Sequence, residues 1–280
     1  MFDSIVVGWN ESESAGVALD WALKRAGTTP VHLVSVVPGH ETGSDYLSAA
    51  SPTTSARVTV MDAADRMRER RPDARIDTAV VRGAVVDELL GAAGPDALLV
   101  VGATPRSERR GRFGWSVATR LAGAQTPGTV AVVPSNVFVG VRSGVVVGVD
   151  GSPATPELVE VAIAEALELH EELRLVHAWA PPPEWQEAYA PDLGFEDSLE
   201  EVHQGVLDDA VAAASRVSGL SIRSSLISEP PAIALGQAAR GAAELVVGNH
   251  GSRGVSRFLL GSVSHAVLRD LDAPTIVVRS

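Results

Sequence analysis

Leu245-Val246-Val247-Gly248-Asn249-His250-Gly251, running on to Leu260-Gly261-Ser262-Val263-Ser264-His265, is the stretch on which the fold turns. Its opening apolar run suits a parallel strand buried on both faces, and Gly248 ends it at once. Gly251 follows three residues later, and Gly261-Ser262 after nine intervening residues. Val263, Ala266, Val267 and Leu271 then recur at helical spacing, with Ser262 placed to cap the first turn. A helix leaves its first N–H groups unpaired and carries roughly half a positive charge at that end. Glycines ahead of it let backbone amides approach an anion with no Cβ in the way. The spacing reads as a phosphate cradle; the plainer alternative is a strand, a glycine-rich turn and a capped helix with no ligand. A Walker-type phosphate loop is excluded, because no Lys follows Gly261 in the required order. The dinucleotide fingerprint fails too, since it packs its glycines within about six residues.

The same run occurs upstream. Leu98-Leu99-Val100-Val101-Gly102 matches Glu244-Leu245-Val246-Val247-Gly248 at an offset of 146, and Thr129-Val130-Ala131-Val132-Val133 matches Thr275-Ile276-Val277-Val278 at the same offset. Ile5-Val6-Val7-Gly8-Trp9-Asn10-Glu11-Ser12 matches Val145-Val146-Val147-Gly148-Val149-Asp150-Gly151-Ser152 at 140, and Val31 to Val36 matches Leu173 to Ala178 at 142. The drift is small, so the order of elements is shared and the chain is two copies of one domain. Ser12 or Ser14 is placed to cap the first helix, and Ser152, with Pro153 in the first turn, its counterpart. Second helices are expected over 53–71 and 197–218, third strands near 74–81 and 220–227, and third helices near 85–93 and 231–241. Strands joined by helices imply an α/β fold, here two tandem doubly wound five-stranded parallel sheets. The domains are expected at 1–136 and 143–280, joined near Ser135 to Ser143.

Length and composition agree with two globular domains: 280 residues, 45% hydrophobic and 21% charged. A net charge of −12 argues against a nucleic-acid partner. With no Cys, disulfides and thiolate metal sites are excluded. No basic leader and no long apolar segment stand at the start, so a cytoplasmic protein with no membrane partner is expected.

The pattern Gly248-x2-Gly251-x9-Gly261-Ser262 resembles the ATP-binding signature of the universal stress protein family, whose Rossmann-like fold agrees with the alternation above. The resemblance covers essentially the whole chain, twice. It implies that Asp150, after Val149 at the end of its strand, contacts the nucleoside, and that Ala178 meets the adenine through its backbone. Val247, Gly248, Gly251, Gly261, Ser262, Val263 and Ser264 would hold ribose and phosphates, with Mg2+ arriving on the nucleotide. Arg253 and Arg257 fall inside the cradle, where a triphosphate needs cationic partners, or else are solvated loop charges. His177 and His250 read as polar groups of a pocket wall rather than catalytic or metal-binding groups. No set of His and carboxylates has metal-site spacing.

The first copy departs from the signature: Asn10 stands for Asp150, Pro105 for Gly251 and Trp115 for Gly261. Proline lacks the amide that would face phosphate, and an indole would fill the place where backbone meets ligand. Arg106, Arg109, Arg110 and Arg112 form a basic loop there, read as a solvated charge run. ATP is therefore expected in the second domain only, in a nucleotide-responsive regulatory protein. The alternatives are a slow ATP hydrolase on the same fold, although no group is placed to activate water, and a scaffold that binds no nucleotide. Relatives that adenylate substrates carry a Ser-Gly-Gly-x-Asp-Ser loop, which Asp150-Gly151-Ser152 does not match. The short strands Val130 to Val133 and Ile276 to Val278 should lie at sheet edges and pair antiparallel within one chain. Association of two chains into a homodimer would use another surface.

Overall fold

The computed structural model describes residues 2–39, 51–104, 116–180, 195–249 and 260–279. In chain order the elements are β1 (Ser4–Trp9), α1 (Glu13–Ala26), β2 (Val31–Val37), α2 (Pro52–Arg70), β3 (Ile76–Arg82), α3 (Val85–Ala93), β4 (Ala97–Ala103), α4 (Val117–Ala122) and β5 (Gly128–Pro134). The second copy supplies β6 (Val145–Gly148), α5 (Thr155–Leu169), β7 (Leu173–Ala178), α6 (Phe195–Ala214), β8 (Ile222–Ile227), α7 (Pro231–Ala238), β9 (Glu244–Gly248), α8 (Ser262–Arg269) and β10 (Thr275–Arg279). The alternation expected from the repeat is present throughout.

The chain divides into two compact units, one of Met1–Val139, Asn249–Gly261 and Pro274–Ser280, the other of Gly140–Gly248 and Ser262–Ala273. In the first unit the strand order is β3-β2-β1-β4-β5, all parallel. Ile5, Val6, Val7 and Leu98 to Val100 are at most 3% exposed, as strands covered on both faces require. Ser12 caps α1 by accepting from the Ala15 N–H at 3.2 Å, and Ser51 caps α2 in the same way through Thr54. The inward stripe of α1 is Ala15, Ala18, Leu19, Ala22, Leu23 and Ala26.

At the far edge of this unit, β10 lies antiparallel to β5, in the register Thr275↔Val132 through Arg279↔Gly128. The edge of β5 expected to recruit a strand is thus filled, and by the last strand of the same chain. Arg279 is 2% exposed there. Its Nη1 donates to Thr126 Oγ1 at 3.1 Å, and burial lowers its pKa to about 10.

The second unit carries the order β9-β6-β7-β8, again parallel. One local expectation fails here. Ser152 does not cap α5, and Pro153 is not its first residue. The helix begins at Thr155, after Ala154 in the cap position with no side-chain cap. Asp150 holds the turn before it: its Oδ1 accepts from the Ser152 N–H at 3.0 Å and the Thr155 hydroxyl at 3.2 Å. Gly151 turns the chain with φ +73°, and the Ser152 carbonyl accepts from Thr155 N. The chain therefore makes one extra turn before the helix starts.

Candidate functional site

In the second unit strand order reverses between β6 and β9, and a doubly wound sheet opens its crevice at the carboxyl ends of such strands. Val149 and Asp150 follow β6, Ala178 ends β7, and Val247 and Gly248 end β9. Ser262, Val263 and Ser264 open α8. These expected residues share one compact unit. Gly261 is grouped with the first unit, while Gly251, Arg253, Arg257 and His250 lie outside the described residues.

Ser262 is the first residue of α8 rather than the one before it. Ser264 is buried, and its hydroxyl donates to the Gly248 carbonyl at 2.5 Å. That bond ties the first turn of α8 to the end of β9. Asp150 is exposed and holds the turn after β6 through the two bonds already described.

The end of β7 differs from an ordinary ladder. In a parallel pair, alternate residues bond to opposite neighbours. Leu173 N donates to Ser221 O and Trp179 N to Ile227 O, so the odd residues of β7 serve β8. Val145 N donates to Glu172 O and Val149 N to Val176 O, so the even residues serve β6. By that phase Ala178 N–H should donate to the Val149 carbonyl. Instead the register stops at Gly148↔Val176, and the Val149 carbonyl accepts from His177 Nδ1 at 2.7 Å. Ala178 is left with an N–H and a C=O, side by side, that no group among the described residues engages.

His177 is 4% exposed. A carbonyl only accepts, so Nδ1 of His177 carries the proton, and its Nε2 then accepts from His203 Nδ1 at 2.8 Å. His203, on α6, stacks on Trp179 with ring centroids 4.5 Å apart. Burial, and then the charge of a protonated His177, hold the His203 ring below the usual histidine value. The Trp179 indole N–H is buried with no hydrogen-bond partner among the described residues. Sequence reading placed His177 in a pocket wall, but missed His203 and Trp179. One signal was available: Leu207, Ala210 and Ala214 are the buried stripe of α6, and a step of four residues back from Leu207 puts His203 on the same face. Among the described residues, no group of three or more His, Asp or Glu is arranged to hold a metal ion, and no helix is long and apolar enough to cross a membrane.

Comparison with known proteins agrees with this architecture. The universal stress protein Rv1996 of Mycobacterium tuberculosis is 27% identical over 98% of this chain and 94% of its own length. Rv2005c of the same organism is 34% identical over 48% of this chain, and that match spans 45% of the relative. A crystal structure of a universal stress protein from Archaeoglobus fulgidus superimposes with a TM-score of 0.66 at 15% identity, covering 99% of this chain and 96% of that one. The universal stress protein family profile matches twice, at residues 1–134 and 143–279, so the chain belongs to that family in its tandem form.

Proposed function

We infer that the second domain, residues 143–280, binds ATP and that the chain is a nucleotide-responsive regulatory protein. The observation that carries this is the open backbone pair of Ala178 at the switch point of the second unit. An adjacent donor and acceptor match the edge of adenine, where a ring nitrogen accepts and the exocyclic amine donates. Asp150 at the neighbouring strand end would take ribose hydroxyls, and the start of α8 phosphate. Mg2+ would be held by the phosphates it arrives on. The sequence motif supports the same assignment, being complete only in the second copy. Calorimetric titration with ATP tests it: one nucleotide per chain is expected. Gly261→Trp, which installs the residue found at the matching place of the first copy, should abolish the heat signal while leaving the circular dichroism spectrum unchanged. A stoichiometry of two, or full binding by the variant, would overturn the assignment.

A further inference from the structure

We propose that His177 is a positioning residue that holds the β6–β7 ladder open at its last rung, keeping the Ala178 amide free for a ligand. The first repeat supplies the internal control. There the β1–β2 register runs one residue further, through Trp9↔Ser35. Ile5 N donates to Pro30 O and sets the phase, so the final pair commits the Val36 N–H to the Trp9 carbonyl. In the second repeat the matching rung, Val149 with His177, is missing from the register.

The residue that differs is the one whose side chain intervenes. Ser35 stands where His177 stands, and only His177 places a ring N–H on the carbonyl at the strand end, at 2.7 Å. A short donor of this kind competes directly with a backbone amide for one acceptor. The ring is also anchored from behind. His203 on α6 bonds its Nε2 at 2.8 Å, and Trp179 stacks on His203. Close packing repeats the link between these elements, because a Cβ on Gly151, just past Asp150, would meet Val206 of α6 at 3.0 Å. The imidazole is therefore held by a neighbouring helix at the place where the ladder would otherwise close. This inference deepens the reading of Ala178 as the contact for a base, and rests on it for its purpose, but the open rung is a property of the chain alone.

Amide hydrogen exchange of the full chain, followed by NMR, tests the rung with no ligand present. In the unaltered protein, Ala178 should exchange at least about tenfold faster than Val36, as an unpaired amide does beside a paired one. Equal protection at the two positions overturns the proposal without any variant. In His177→Phe, which keeps a ring but removes the donor, and in His177→Ser, the first-repeat residue, the Ala178 amide should slow by about tenfold as the rung closes. General loosening of the site would speed exchange, so a faster or unchanged amide in the folded variants also overturns it. His203→Phe leaves the bond from His177 to Val149 in place, and its Ala178 should stay fast. A second arm compares ATP with 1-deaza-ATP, which lacks the ring nitrogen that would accept from Ala178. The unaltered chain should prefer ATP by about tenfold, and His177→Phe should lose that preference. Were the unaltered chain to bind neither nucleotide, the proposed function would fall, while the exchange result would still decide the rung.

Discussion

The carboxyl ends of β1 and β6 begin alike and finish differently. Asn10 Oδ1 accepts from the Ser12 N–H and hydroxyl, and Asp150 Oδ1 accepts from the Ser152 N–H and the Thr155 hydroxyl. Gly8 and Gly148 each face an equivalent leucine of the third helix in their copy, Leu89 and Leu235. Beyond that point the two part. In the first repeat the helix starts at Glu13 and the ladder runs on to Trp9↔Ser35. In the second the helix starts at Thr155, which aligns with Ala15, and the ladder stops at Gly148↔Val176. The same strand end is closed in one copy and open in the other. At the rung itself the side chain that differs is His177, which bonds the Val149 carbonyl where the first copy has Ser35.

The largest effect is expected in the closed copy. A Cβ on Gly102 would lie 2.0 Å from the Ser14 carbonyl oxygen and 2.8 Å from Ala15 N. These are backbone atoms in the first turn of α1, so no side-chain rotation relieves the overlap. Gly102→Ala should cost about 3 kcal/mol, read from denaturant midpoints at constant m-value. A cost below about 0.5 kcal/mol would mean that α1 withdraws easily, and the first site would not be as closed as its ladder implies. Gly102 is thus held by packing in a copy whose motif has Pro105 and Trp115 in place of its other two glycines.

A smaller effect separates charge from turn geometry in the open copy. Asp150→Asn keeps the Oδ1 acceptor that holds the turn, as Asn10 does in the first repeat. Stability should change by less than about 0.5 kcal/mol, while ATP affinity falls about tenfold through loss of a charged acceptor for ribose hydroxyls. Equal losses in stability and affinity would show that Asp150 matters only to the turn.

Most of the fold was legible, because each rule involved acts locally or by repetition. Expected helices at 53–71 and 85–93 are found at Pro52–Arg70 and Val85–Ala93. One boundary moved: α5 starts at Thr155, after a turn that Asp150 holds, rather than at Pro153. The strand ends at Val149, Asp150 and Gly248 were legible because a strand followed by glycine or Asp marks a carboxyl end, whereas Ala178 entered only through the family resemblance. The open rung was not, since it depends on a bond from the His177 ring to the Val149 carbonyl, which meet only when β6 and β7 lie side by side. Ala178 is an alanine like any other until its neighbour's ring removes its partner.

A third expectation concerns the same pair of rings. The folded-state pKa of His203 is depressed, so the unfolded chain binds more protons as pH falls through the ordinary histidine range near 6.5. The contribution of His203 to stability is therefore present in full above that range and lost progressively below it. A proton added to His203 places a charge where burial disfavours it. Thermal midpoints between pH 7.5 and 5 should fall more in the unaltered chain than in His203→Phe. Parallel curves would show that the pair does not sense protons.

The smallest effect is expected where the two terminal strands are compared. Val133 near the end of β5 and Arg279 at the end of β10 occupy matching places in the repeat, and both are buried, at 0% and 2% exposure. The first is an ordinary apolar contact. Among the described residues, the guanidinium of the second has the hydroxyl of Thr126 as a partner, and its Nε has none. A buried charge recovers its lost hydration only through an anionic or multiply bonded partner, and replacing one by an apolar side chain of similar size is often neutral or stabilising. The depression of the Arg279 pKa to about 10 has burial as its cause, which marks a charge that is tolerated rather than needed. Glycine at position 128 makes room for it, since a Cβ there would lie 2.8 Å from Arg279 Nη2. Arg279→Met should therefore leave the unfolding free energy within about 1 kcal/mol of the unaltered chain, measured by urea titration at neutral pH. A loss of about 3 kcal/mol or more would mean that the guanidinium neutralises an anionic group, and β10 would then be held on β5 by charge as well as by its ladder.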